Sequence, residues 1–140
     1  MSTLLNEDMV RWVEQLVTAC PDIREVWILG SRANSKARAD SDWDFLVFGT
    51  QAARPCIESS SHLHRFDVDL LLVDDPSGEF SRPWGISKTG SLSRWEWKAL
   101  SDKVSTYKSV KWVPDEDDPV PGSNTGNMAV SNLKAYRVWP

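Results

Sequence analysis

The chain has 140 residues, 41% hydrophobic and 26% charged, the size and balance of one globular domain with one core. A net charge of −4 and a pI near 5.1 exclude a broad phosphate-tracking surface, which needs a clear excess of Lys and Arg. Cys20 and Cys56 stand alone, without CxxC or a Cys-His cluster, so neither a zinc site nor a disulfide framework is expected; with no basic-then-apolar leader and no apolar run near the ~18 residues that cross a bilayer, the expectation is a soluble cytoplasmic protein.

Residues 3–19 predict an amphipathic helix, because Leu4, Leu5, Met9, Trp12, Val13, Leu16 and Val17 recur at three- and four-residue spacing. Asn6, Glu7 and Asp8 suit a turn and a helix N-terminus, and Cys20-Pro21 stops the helix, since the residue before proline is steered from helical angles. Ile23 to Leu29 predicts a short strand ending at Gly30-Ser31. A glycine leaving a strand, followed by helix-compatible Arg32, Ala33 and Asn34, can bring backbone N–H groups close to an anion, although an ordinary strand-to-helix turn has the same composition.

Trp43 to Phe48 predicts a second strand. Alternation puts Asp42, Asp44 and Leu46 on one face and Trp43, Phe45 and Val47 on the other. Two carboxylates sharing a face at the mouth of an apolar strand repel each other and call for a cation. Arg32, Lys36 and Arg38 form a local basic patch beside them. Gln51 to Ser59 reads as a short helix interrupted by Pro55, and Phe66 to Val73 as a third strand, again with carboxylates two residues apart, Asp67 and Asp69. Three apolar strands close in sequence can form one sheet with these acids gathered at one place.

Residues 74–85 have turn composition, Leu92 to Val104 predicts a helix with Trp95, Leu100 and Val104 broadly on one side, and Ser105 to Val113 predicts a strand. Residues 1–113 then form the domain, and 114–140 an acidic, Pro/Gly-rich C-terminal segment of loop or disordered composition. Its closing MAVSNLKAYRVW suits either a docked strand or a partner-binding segment. Of the eight tryptophans, Trp12, Trp27 and Trp43 fall in predicted elements and are assigned to the core; His62 and His64 lack a third ligand and read as surface residues.

The order strand, Gly30-Ser31, short helix, Ser41-Asp42-Trp43-Asp44 on a strand, then Asp67 or Asp69 on a later strand resembles the nucleotidyltransferase superfamily that includes DNA polymerase β, and in size its minimal nucleotidyltransferases. The resemblance covers about residues 23–73 and is carried by GSRA and SDWD. It implies an α+β or α/β palm: a small mixed sheet with helices mainly on one face. It also implies that Gly30 and Ser31 hold an NTP triphosphate, with Arg32 and Ser41 as neighbouring substrate contacts, and that Asp42, Asp44 and Asp69 are catalytic metal ligands, Asp67 being the same-face reserve for Asp69. The cofactor would be two Mg²⁺ ions, with Mn²⁺ as a substitute. Nucleotidyl transfer develops charge on attacking and leaving oxygens together, and paired hard cations on carboxylate oxygens stabilise both.

The implied reaction moves a nucleoside monophosphate to an acceptor hydroxyl on a small molecule, a protein or a nucleic-acid end, the last being the only role left for nucleic acid. Ser35 departs from the family pattern, which commonly has glycine there, and the chain has no room for a large acceptor-recognising helical domain. Both departures favour a rival expectation, a catalytically inactive, antitoxin-like binding module of the same fold acting through a protein partner. A hydrolase using the same metals is a third.

Overall fold

The computed structural model describes residues 4–114 and 126–140. The elements are α1 (Glu7–Ala19), β1 (Ile23–Leu29), α2 (Gly30–Ala33), β2 (Trp43–Gly49), α3 (Ala53–Ser59), a 3-10 turn at Ser61–Leu63, β3 (Val68–Val73), β4 (Glu79–Ser81), β5 (Thr89–Ser91), β6 (Lys98–Ala99), β7 (Val104–Pro114) and β8 (Gly126–Trp139). The fold is mixed α+β, with few helices and one curled eight-stranded sheet ordered β5-β4-β3-β2-β1-β8-β7-β6. β2 and β3 run parallel and the other pairs antiparallel.

α1 starts later than the apolar spacing suggests because Asn6 caps it, its side chain accepting from the Met9 N–H at 2.8 Å. Met9, Trp12, Val13 and Leu16 form its buried stripe, each contributing about 1.5–3 kcal/mol by leaving water. They pack with α3 on the sheet face made by Val26, Ile28, Phe45, Val47, Leu70 and Leu72. Pro55 is accommodated because it lies in the first turn of α3, where its missing N–H has no helical acceptor to serve. Helices thus cover one face, as expected.

The other face carries a second core of Trp27, Leu29, Leu46, Leu71, Val73, Phe80, Tyr107 and Ala135. Trp95 packs at a tilt against Phe80 of β4 and Tyr107 of β7, at ring centroid distances of 4.5 and 5.2 Å, joining strands from the two arms of the sheet. Here the structure corrects the sequence reading. The helix expected over Leu92 to Val104 does not form: the segment is turns and β6, Glu96 has a left-handed φ of 52°, and Trp95 and Trp97 both pack on the second core. An i, i+2 pair facing one way suits extended or turned chain rather than helix.

The loop expected over 74–85 contains β4, which pairs with β5. The closing segment is a strand: β8 lies between β1 and β7, pairing with Val26, Trp27 and Ile28 of β1 through Trp139, Arg137 and Tyr136. The sheet is therefore larger than the small one expected. The acidic stretch 115–125 lies outside the described residues. Cys20 and Cys56 form a disulfide, contrary to the expectation of none, because packing α1 against α3 brings their Cα atoms to 5.8 Å. Among the described residues no helix is long and apolar enough to cross a membrane.

Candidate functional site

The acids gather where β1 ends and β2 and β3 begin. In the parallel β2–β3 pair Asp44 is the direct neighbour of Asp69, on strands about 4.8 Å apart. Across the other edge of β2, Asp44 opposes Leu29, so the chain enters Gly30 beside it. Asp42 precedes β2 and is exposed. Alternation turns Asp44 and Asp69 away from α1 and α3, on the side of Leu46 and Leu71.

Asp67 stands apart from this cluster. It precedes β3, its carboxylate accepts two hydrogen bonds from Arg65 at 2.9 and 2.8 Å, and Arg65 also pairs with Asp8. Its carbonyl accepts from the Trp43 N–H at 2.8 Å, tying the starts of β2 and β3 together. Asp67 is a brace, and Asp69 is the carboxylate beside Asp44.

Asp44 is largely buried, and its carboxylate makes no hydrogen bond or ion pair with a described residue. Burial above all, then the charges of Asp69 and Asp42, raise its pKa to about 6, against partial relief from Lys88 and Arg82. Asp69 is held differently: Arg82 grips it with two hydrogen bonds, Nε to Oδ1 at 2.7 Å and Nη2 to Oδ2 at 2.9 Å. Those bonds hold the Arg82 guanidinium above its ordinary pKa. The cation called for by the acids is thus partly supplied from within, by Arg82, which the sequence reading left in the loop 74–85, and by Lys88 just beyond it, both in the β4–β5 hairpin. The signal available was the presence of these two basic residues after the acidic strand.

Gly30 has φ +68°, and a Cβ there would fall on the Asp44 carboxylate. The site therefore requires glycine twice over, for backbone angle and for space. α2 is a single turn, whose leading N–H groups lack helical acceptors. That of Gly30 donates to the Tyr107 hydroxyl at 2.9 Å, a contact between β7 and the loop that sequence alone did not reveal. Burial raises the Tyr107 pKa. Ser31 follows in the same turn, its carbonyl accepting from the N–H groups of Asn34 and Lys36.

Arg32 and Ser41 serve each other. The Arg32 guanidinium donates to the Ser41 carbonyl at 2.8 Å and lies 4.3 Å above the Trp43 ring, while the Ser41 hydroxyl accepts from the Arg38 N–H. They close the loop from α2 to β2. Ser35 in that loop has φ 57°, in the left-handed region that favours glycine. Asn34 fixes the loop to β8, donating to the carbonyls of Gly30 and Lys134 and accepting from the Lys134 N–H.

Two clefts flank the acids and share Asp69. One, of about 200 Å³, is lined by Gly30, Asp44, Lys88, Trp95 and Tyr107 among others. The other, of about 300 Å³, lies beyond Asp69 and is bordered by Asp42, Arg82, His64 and Trp84. As arranged, no three carboxylate, imidazole or thiol groups among the described residues converge as a metal-holding group. The hard oxygens of Asp42 and Asp44 suit a divalent cation of the Mg²⁺ type, since neither carboxylate has a hydrogen-bond or ion-pair partner among the described residues and Asp44 is burdened by neighbouring negative charge. Asp69 would join such a site by exchanging Arg82. No protein-family model, curated protein or solved structure matches the chain.

Proposed function

We propose that this chain is a metal-dependent nucleotidyltransferase built on the nucleotidyltransferase palm, moving a nucleoside monophosphate from an NTP to an acceptor hydroxyl. The observation that supports this best is the lateral register of Leu29-Gly30, Asp44 and Asp69 on adjacent strands, which sets an anion-compatible turn beside two carboxylates. Asp42 and Asp44 would hold Mg²⁺ or Mn²⁺, and Asp69 a second ion. Ions bound there would stabilise charge on the attacking and leaving oxygens.

The chain's own groups divide the work by position. Gly30 lines the smaller cleft with Ser31 next to it in the chain, and phosphates bound there would take the Gly30 N–H from the Tyr107 hydroxyl and gain positive charge from Lys88. Asp69, which lines both clefts, would take the proton of an acceptor hydroxyl entering from the larger one. Trp95 and Tyr107 wall the smaller cleft and limit water there.

The test is the affinity of a nonhydrolysable NTP by calorimetry, with and without Mn²⁺. Metal should tighten binding in the native chain and leave it unchanged in Asp44→Asn. Equal affinity of the native chain in Mn²⁺ and in EDTA would sink the reading.

A second reading, the non-catalytic or antitoxin-like module acting through a protein partner, is favoured by the Arg82 grip on Asp69 and by Tyr107 occupying the Gly30 N–H. Arg82→Gln separates the two. If Arg82 stands in for a cation, the variant binds Mn²⁺ several-fold more tightly than the native chain; a purely structural pair gives lost stability and no Mn²⁺ binding.

A further inference from the structure

The larger cleft has features that the acidic site does not account for. Phe66 is 98% exposed and Ile86 is 82% exposed, and both line this one pocket. Large apolar side chains left in water forgo the stabilisation of burial. Neither is on a loose segment. Phe66 stands at the tip of a turn closed by the Val68 N–H to Arg65 carbonyl bond at 3.2 Å and braced by the pairing of Arg65 with Asp67 and Asp8.

Ile86 is equally fixed. Its carbonyl accepts from Arg82 Nη1 at 3.2 Å, and the Arg82 N–H donates to the Lys88 carbonyl at 3.1 Å, closing the hairpin around it. Behind these lips His64 and Trp84 stack at 5.4 Å with planes 20° apart, and Trp84 is pinned by its indole N–H donating to the Ile57 carbonyl at 2.8 Å. Gly85, at φ +79°, lets the backbone turn over the His64 ring.

The lining of this pocket is of two kinds. Phe66, Ile86, His64 and Trp84 offer flat or apolar surfaces, and Asp42 and Asp69 offer carboxylates, which accept hydrogen bonds and repel anions. Arg82 is already spent on Asp69, so a phosphate entering here meets net negative charge. A volume of about 300 Å³ is that of a small ring system rather than a helix or strand of a partner.

We propose that this pocket binds an uncharged, flat-ringed small-molecule alcohol of nucleoside size, its ring between Phe66 and Ile86 and its hydroxyl donating to Asp69. That this molecule is the acceptor rests on the transferase reading above; that it binds here does not.

The experiment uses the full chain, ¹⁵N-labelled and in EDTA, titrated with adenosine and, separately, with glycerol. Adenosine should give saturable shifts at His64, Phe66, Gly85, Ile86 and the Trp84 indole N–H, and glycerol none. Phe66→Ala, at a site exposed enough to leave the fold intact, should weaken adenosine about tenfold, the usual scale for one lost stacking surface. Ile86→Ala should weaken it too, and both variants should keep native affinity for a nonhydrolysable NTP with Mn²⁺.

Shifts confined to Gly30, Ser31 and Lys88, equal shifts with glycerol, or unchanged adenosine affinity in both variants would overturn the proposal. So would a concentration-dependent dimer in sedimentation that Phe66→Ala abolishes, since a second copy would then cover the lips. Adenosine binding at this pocket in a chain whose NTP affinity ignores metal would uphold the pocket while removing the transferase.

Discussion

Replacing Asp44 by Asn should stabilise the metal-free protein at neutral pH, although it removes the residue on which the proposed activity most depends. The folded chain holds the Asp44 pKa at about 6, raised from 3.8 chiefly by burial and then by Asp69 and Asp42. A folded pKa above the unfolded value means that the native state binds the proton more tightly. The contribution is therefore fully present below about pH 4 and is lost as pH rises through about 6. A gap of roughly two pKa units corresponds to about 3 kcal/mol, which the partial solvent access of the side chain reduces to about 2 kcal/mol. Asn keeps the shape and has no charge to lose. Urea unfolding followed by tryptophan fluorescence, in EDTA at steps from pH 4 to pH 8, should show the native chain losing about 2 kcal/mol relative to Asp44→Asn across that range. The two should be closest at pH 4, with the variant ahead at pH 7.5. Parallel stability curves would refute the argument, because they would mean that the carboxylate is solvated or compensated in the folded chain and carries no stored repulsion for a cation to relieve.

Backbone and covalent features give two further tests. Gly30→Ala adds a Cβ against the Asp44 carboxylate at φ +68° and should cost more than the about 1–2 kcal/mol of a left-handed non-glycine residue alone, whereas Ser35→Gly, at φ 57°, should recover up to about 1–2 kcal/mol; thermal melts measure both, and a neutral Gly30→Ala would contradict the packing of Gly30 on Asp44. The Cys20–Cys56 disulfide spans 36 residues of sequence, so in the chain-entropy account reduction should lower the unfolding free energy by about 4 kcal/mol. Alkylation of the untreated protein in denaturant, read by mass spectrometry, should label no cysteine; two labelled thiols would show that the bridge is not made.

What the sequence made legible is bounded by where its signals are local. β1, β2 and β3 are short apolar runs ending at glycine or turn residues, and the alternation in Trp43 to Phe48 correctly separated the Asp44 face from the Phe45 face. Asp67 and Asp69 could not be separated that way, since period two puts them on one face. Their difference is non-local: it lies in the pairing of Asp44 with Asp69 across β2–β3 and in Arg65 holding Asp67. The disulfide was hidden for the same reason, because only the packing of α1 on α3 brings Cys20 to Cys56.

The two misread stretches, 74–85 and 92–104, have a different cause. Trp95, Leu100 and Val104 suggest helical spacing over 92–104, yet Trp95 and Trp97 lie two apart and face one core, with Glu96 between them at positive φ. Strands β4, β5 and β6 are two or three residues long, too short for any period to show. These weakly signalled pieces nonetheless build what is distinctive about the site. β4 leads directly into Arg82, which neutralises Asp69 from 13 residues away; the turn after it raises Ile86 opposite Phe66; and β7 brings Tyr107 to the Gly30 N–H. Asp44 and Asp69 lie on strong local patterns because they sit on strands whose other residues are mostly buried. The groups that hold those carboxylates in check, and that shape the cleft beyond them, come from hairpins whose conformation is set by long-range pairing. The resemblance to nucleotidyltransferases rests on those local patterns, whereas the larger cleft, to which the proposal assigns a flat-ringed ligand, emerges only from the folded chain.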